Sequence, residues 1–496
     1  MESQLLFINK TSSSTLSSKQ DEKAKILSHV QSKRRKAEAK SKSAEPWTSF
    51  ASIIPTTRTK PPKQQSNSKA NTVTHHFRLP SSYPSFNASD PFHCTSVHTT
   101  PNTHILLQHT FSLASRSNFL AEAFAPSAIC SKGRPIRHEA IFHARLRQCI
   151  HDQTHMYATL AYGSSLLGWM MGRFQTHPPE YFLSMALPSV RKSLSADCQV
   201  DNWLLLSMYA LAVTEMWNGI PSMWIGNERY GTVMRMSQYG FAACRVHLRA
   251  LLALVLDNGG WGAFDPYVLD SVLLADKYLA VSDMSLPVIP VTFDPGPLSA
   301  LERQRLGSTE DVSEELGQGI LEETASLVLK GAVADLVDYC QTAQQRWRLP
   351  GMDDSTEAWL FRRLQALLYR FLHMYHDAEL GLGDKRVCVA TLTFIFGSIT
   401  GKGPQVSAQQ VARTLYAHLL VGDWPNNGLH LWYLVLGAMA LGESVERSWF
   451  MNRLRVLRVW DLSREEIAMK LKKFLFLEVK QGAQLTALVA ELGPDR

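Results

Sequence analysis

From about residue 100 the apolar positions of the chain recur at intervals of three and four, over stretches longer than a strand needs. The clearest are THILLQHTFSLASR (103–116), MYATLAYGSSLLGWMMGRF (156–174), NWLLLSMYALAVTEMW (202–217), ERYGTVMRMSQYGFAACRVHLRALLALVLD (228–257), ETASLVLKGAVADLVDYCQTAQQRW (323–347) and TEAWLFRRLQALLYRFLHMYHDA (356–378). Gly, Pro and Asn clusters separate them, so each predicts a helix and together they predict an all-α body. Near the C-terminus, Ser463 and Glu466 have capping-box spacing, and Ile467, Leu471, Phe474 and Leu475 follow at helical intervals. One long interruption, SDMSLPVIPVTFDPGPLSA (282–300), carries four prolines and predicts an extended crossover between two helical halves, 76–300 and 301–496. The Gly-containing, charged stretch RQRLGSTEDVSEELGQG (303–319) is a second candidate boundary. No fixed-period repeat occurs.

The first 75 residues read differently. Residues 9–20 and 41–75 are rich in Ser, Thr, Pro, Lys and Gln, a composition that buries too little surface to offset its ordering entropy. Between them DEKAKILSHVQSKRRKAEAK (21–40) has strong helix formers, acids at its start and lysines at its end, matching the helix dipole. The expectation is a disordered basic arm, 1–75, with a short helix at about 21–40 whose narrow apolar stripe needs a partner to hold it.

Charge sharpens the division. Residues 1–70 contain 14 Lys+Arg against 5 Asp+Glu, an excess of +9, while residues 71–496 contain 37 against 39, or −2. The net charge of +7 therefore resides in the arm, and Lys33, Arg34, Arg35 and Lys36 are its densest point. Such a cluster suits an import receptor or the phosphates of DNA, through a salt-sensitive contact that carries no base specificity. For the rest, 45% apolar residues and 12 tryptophans argue for a folded body. The seven cysteines are never closer than 19 residues, which fits buried thiols in a reducing compartment. The N-terminus MESQLLFINK has too short an apolar run for a secretory signal. The longest uncharged span, Met156–Gly172, is 17 residues with Thr159, Ser164 and Ser165 inside it, and predicts a buried helix, with no membrane span.

Three near-matches to catalytic motifs fail on spacing or position. In HEAIFH the outer histidines, His138 and His143, are five apart and sit about 140° apart around a helix, so they cannot face one zinc ion as an i, i+4 pair does. GSITGKG (397–403) is one residue short of a phosphate loop, has Gly403 where Ser or Thr should hold magnesium, and follows a helix; it reads as a C-terminal glycine turn. DDSTE offers Asp353, Asp354 and Glu357 as the acids of a magnesium-dependent prenyl-diphosphate enzyme, but they follow Pro350 and Gly351 and open a helix, which is a capping position. His29, His143, His155, His247 and His373 stand singly in helical patterns. The sequence assigns no catalytic, cofactor-binding or metal-ligating residue, and the chain reads as a non-enzyme.

Several segments, in order, resemble the helical regulatory region of fungal-specific transcription factors. GDWPNNGLHLWYLVLGAMALGESVERSWFMNRLRVL (422–457) is similar to that family's Leu-Trp, Gly-Ala and Arg-x-Trp-Phe helical pair, and LSREEIAMKLKKFLFLE (462–478) to its closing Leu-Lys-x-Phe-Leu segment. DNWLLLSMYALAVTEMWNG (201–219) and HLRALLALVLDNGG (247–260) resemble two central helices, the second ending in a Gly-Gly turn. Asp90-Pro91-Phe92 followed by HILLQHTF, and FINKT followed by ILSHVQSKRRK, resemble segments of members without the zinc cluster. The six-cysteine binuclear cluster that typical members use to contact DNA is missing. The resemblance implies a nuclear transcription regulator of a metabolic or secondary-metabolite gene set, with Lys33, Arg34, Arg35 and Lys36 as import signal or DNA-phosphate contact. The alternative is a nuclear interaction protein that acts through a partner regulator, as a homo- or heterodimer, without reading DNA itself.

Overall fold

A computed structural model describes residues 95–97, 99–116, 128–131, 134–171, 177–195, 199–218, 233–305, 315–348, 354–399, 406–421 and 428–493. All lie in the larger of two units, 82–496. The predicted arm, 1–75, falls outside them.

The body is all-α. In chain order its helices are α1 (Pro101–Arg116), α2 (His138–His151), α3 (Gln153–Met171), α4 (Pro179–Ser195), α5 (Asn202–Asn218), α6 (Val233–Asp257), α7 (Pro266–Ser282), α8 (Ala300–Arg305) and α9 (Gln318–Glu323). They continue with α10 (Leu327–Arg348), α11 (Asp354–His376), α12 (Leu382–Phe394), α13 (Val406–Leu419), α14 (Gly428–Ala440), α15 (Val445–Val456), α16 (Arg464–Lys472) and α17 (Glu478–Leu492). Every long periodic stretch in the sequence is among them. One small element was not foreseen: β1 (Ala128–Ser131) and β2 (Arg134–Arg137) pair antiparallel, Ala128 opposite Arg137 and Ser131 opposite Arg134. Two residues, Lys132 and Gly133, join them, and four-residue strands leave too little alternation to stand out in the sequence.

Helix burial follows composition. α5 and α7 are buried around most of their circumference, with Leu204–Leu206, Met208–Val213 and Tyr267–Leu269, Val272–Val281 all inside. α5 packs on α3, α6 and α7, and α7 in turn meets α11 and α13, so one core runs from Val97 to Leu492 and takes in helices on both sides of Ala300.

The proline-rich stretch is the crossover the sequence predicts, and three helices bind its backbone and side chains. Asp276 of α7 is buried, and its carboxylate accepts hydrogen bonds from the backbone N–H groups of Val288 and Ile289 and from the hydroxyl of Tyr369 on α11, each at 2.8 Å. Burial pushes its pKa above the ordinary carboxylate value, against the pull of those three donors. Farther along, Asp294 pairs with the buried Arg363 of α11 at 2.7 Å, and Arg363 also reaches Asp335 of α10 at 2.8 Å. Gly296 accepts from the indole of Trp359. At its start, Met284 has φ +50°, where glycine is usual after a helix, and the Ser285 N–H closes back on the Ala280 carbonyl. His376 Nε2 donates to the Met284 carbonyl at 2.8 Å, and Arg245 of α6 pairs with Asp283 at 2.6 Å; these contacts hold the turn that glycine would adopt freely. The end of α6, by contrast, uses glycines: Gly259 and Gly260 have φ +93° and +78°, and the Gly260 N–H returns to the Val255 carbonyl.

The C-terminal helices are locked by aromatic rings against glycines. A Cβ on Gly437 of α14 would lie 2.3 Å from the Phe450 ring of α15, and Phe474 sits against both Gly319 and Gly428, where added Cβ atoms would come within 2.8 and 2.9 Å. Trp432 stacks on Phe474, centroids 6.0 Å apart, and donates to the Leu475 carbonyl at 3.1 Å. The capping box forms as predicted: Ser463 accepts from Glu466 N, and Glu466 accepts from Ser463 N. Ile467 and Leu471 are buried on α16, while Phe474 and Leu475 are buried just beyond its end.

Two stability outcomes follow. Gly437→Ala should cost about 1–3 kcal/mol in urea denaturation, and adding Phe450→Leu should recover part of it, because the loss is overpacking against that ring. Tyr369→Phe should cost about 1 kcal/mol, whereas Asp276→Ala, which strands two backbone N–H groups, should cost about 3 kcal/mol or more.

Candidate functional site

The sequence-derived basic cluster, Lys33, Arg34, Arg35 and Lys36, lies outside the described residues. Of the rejected motifs, HEAIFH begins α2 at His138, and DDSTE places Asp354 and Glu357 in the first turn of α11, with Asp353 outside the described residues. Of GSITGKG only Gly397, Ser398 and Ile399 are described: α12 runs into one π-helical turn, Ile395–Ile399, that holds them, and the rest of the stretch lies outside the described residues. Among the described residues no group of three or more His, Cys, Asp or Glu is placed to hold a metal ion, and no helix is long and apolar enough to cross a membrane. Cys149, Cys244, Cys340 and Cys388 are free and buried; burial pushes the Cys149 thiol up to about 11 and that of Cys388 to about 12, so they remain protonated.

Charge is instead concentrated on α7. Asp270 is buried and paired with Arg362 at 2.9 Å. Next to the Asp276 hook, Lys277 is 1% exposed, with its ammonium 4.7 Å from the Tyr278 ring centroid. No carboxylate among the described residues pairs with it, and burial lowers its pKa to about 7.

A second constellation surrounds His155 of α3, which packs on α2 and α5. Thr154 N and His155 N donate to Asp152, which caps α3 and so fixes the direction in which His155 enters the core. His155 is fully buried against the edge of Trp203, centroids 5.4 Å apart. Its Nδ1 is 2.9 Å from Ser207 Oγ, and that hydroxyl already donates to the Trp203 carbonyl at 2.7 Å. The serine must therefore accept from Nδ1–H, which leaves Nε2 as an acceptor, sealed from solvent and without a partner. Burial first, and the Arg145 charge second, hold the imidazole at about 3, so it is neutral. Tyr162, stacked on Trp217, and Tyr209 are both raised above the usual phenol range by burial, and Tyr267 is pushed up to about 12. The Arg145 charge acts on all three.

Sequence reasoning took His155 for a solitary core or surface histidine and passed over Arg145, Tyr162 and Tyr209. They sit on three helices, and no spacing along the chain joins them. Most segments that carry the family resemblance occupy core and turn positions: Trp432 on Phe474, Gly437 under Phe450, the Gly259-Gly260 turn. No protein-family model, curated protein or solved structure matches the chain.

Lys277 gives this region a pH signature. The unfolded lysine holds its proton to its ordinary value of 10.5 while the folded one releases it near 7, so the penalty is complete below pH 7 and disappears as pH rises toward 10.5. Lys277→Met should therefore raise Tm most at and below pH 7, with the gain shrinking through pH 8 to about 10, as thermal melts across that range would record.

Proposed function

We propose that the chain is a nuclear transcription regulator of a metabolic or secondary-metabolite gene set: a helical regulatory body carrying a basic arm that brings it into the nucleus. The observation that carries this reading is the segregation of charge, +9 in residues 1–70 against −2 in the remainder, on a chain whose segments resemble fungal-specific transcription factors in order. What supports it further is that the most resembling segments, 422–457 and 462–478, pack on one another where they are described: Trp432 of α14 stacks on Phe474 and donates to the Leu475 carbonyl at 3.1 Å.

A second form of the reading is favoured by the cysteine spacing. A binuclear zinc cluster needs closely spaced thiolates, and none of the seven here is closer than 19 residues to another. The regulator then acts on promoters through a partner regulator, with any direct DNA contact limited to phosphates.

Replacing Lys33, Arg34, Arg35 and Lys36 together by alanine separates these roles. A fluorescent fusion of the wild-type chain should concentrate in the nucleus and the variant should spread to the cytoplasm. Duplex binding by the purified chain, followed at two salt concentrations, should be weak, indifferent to sequence and lost at the higher salt. A wild-type fusion confined to the cytoplasm, together with no promoter enrichment in chromatin, would remove the regulator reading.

A further inference from the structure

Where α10, α12 and α13 meet, polar contacts hold the backbone and apolar side chains are left outside. Asp384 of α12 accepts from Ala325 N at 3.4 Å and from Ser326 N at 3.2 Å, which fixes the start of α10 against the start of α12. Arg386, two residues on, donates to the His418 carbonyl at 3.2 Å and to that of Val421, so the end of α13 is held there too. Tyr375 of α11 braces the same end: its hydroxyl is 3.2 Å from His418 Nε2, and the two rings meet edge to face, centroids 5.6 Å apart. On this platform Leu327 is 82% exposed and Val328 69%, with Leu382, Leu420 and Val421 also exposed. Single apolar residues scattered over a surface are ordinary, but five large ones on three helix ends that are bonded to one another form a patch. The fold does not use them, because Leu329 of α10, Val387 of α12 and Leu419 of α13 fill the core beneath.

The border of the patch has one sign. Glu322 and Glu323 lead into the start of α10, and Asp377 and Glu379 into the start of α12, all four exposed, whereas Lys330, Lys385 and Arg386 are half-buried. Two copies pressing this face together would set like charges side by side, which disfavours self-association. An apolar surface fringed by carboxylates complements a helix that carries an apolar stripe with lysines or arginines along its edges. We propose that the ends of α10, α12 and α13 form a docking surface for a cationic amphipathic helix of a partner protein, whose apolar stripe covers Leu327, Val328, Leu382, Leu420 and Val421 and whose basic residues meet the four carboxylates. Such a partner would be the regulator through which the chain acts in the second form of the proposed function, yet binding here is measured on the purified chain, without reference to nucleus or promoter.

The test uses the full-length protein and a fluorescent helical peptide of Leu and Lys, about five turns long, with its Leu on one face. Its controls are the same peptide with Glu for Lys and a scrambled Leu/Lys peptide that has no apolar face. By anisotropy the Leu/Lys helix should bind at least about ten-fold more tightly than either control, and less tightly as salt rises. Leu327→Ser with Val328→Ser should weaken it about ten-fold, and so should Asp377→Lys with Glu379→Lys. All four positions are exposed, so Tm should hold in both variants. Val246→Ser with Leu256→Ser, a change to two exposed apolar residues of α6, should leave binding unchanged. Equal binding of the Lys and Glu helices or of the scrambled peptide, binding that survives Leu327→Ser with Val328→Ser, or equal loss in the α6 variant would each overturn the docking surface. A wild-type dimer that Leu327→Ser with Val328→Ser converts to monomer would overturn it as well, by giving the patch to a second copy of the chain.

Discussion

The carboxylate of Asp276 fixes how the first helices of the body meet the last. A crossover with four prolines cannot form helix or sheet, and its backbone N–H groups need acceptors wherever they are buried. Asp276 supplies two acceptor bonds to Val288 and Ile289 and takes a third from Tyr369, so one side chain joins α7, the crossover and α11. Arg363 continues the same logic one step on, tying Asp294 of the crossover to Asp335 of α10. These contacts explain why the left-handed Met284 is tolerated: a strained turn of about 1 kcal/mol is small against the hydrogen bonds that surround it. They also explain why a chain that reads as two halves has one continuous core.

The C-terminal helices use a different constraint, the absence of a side chain. The rings of Phe450 and Phe474 come so close to the backbone at Gly437, Gly319 and Gly428 that a Cβ added at any of them would lie under 3.0 Å from ring atoms. Phe450 meets one glycine and Phe474 two, so the close approach of ring and backbone ties α14 to α15 and both α9 and α14 to the segment after α16.

The charged groups of α7 show both outcomes of burial. Asp270 is paired with Arg362, and Asp276 holds two backbone N–H groups and the Tyr369 hydroxyl, so both carboxylates tie helices and crossover together. Lys277, beside Asp276, has no carboxylate paired with it among the described residues, and burial lowers its pKa to about 7.

The sequence by itself determined the helices, because periodicity, capping and punctuation are local: the long apolar stretches, the Ser463–Glu466 box and the 282–300 crossover are all where the pattern places them. It also determined the separation of charge, which is simple counting, and it excluded HEAIFH as a metal pair by helical geometry alone. The short hairpin at 128–137 and the π-helical turn at Gly397 were beyond it, since four-residue strands and one wide turn leave almost no periodic trace. Only the tertiary structure decided which polar residues meet. Asp276 and Tyr369 are 93 residues apart, and His155 and Ser207 are 52 apart. Pairing, burial and the lack of either are properties of three-dimensional neighbours, and no spacing along the chain encodes them.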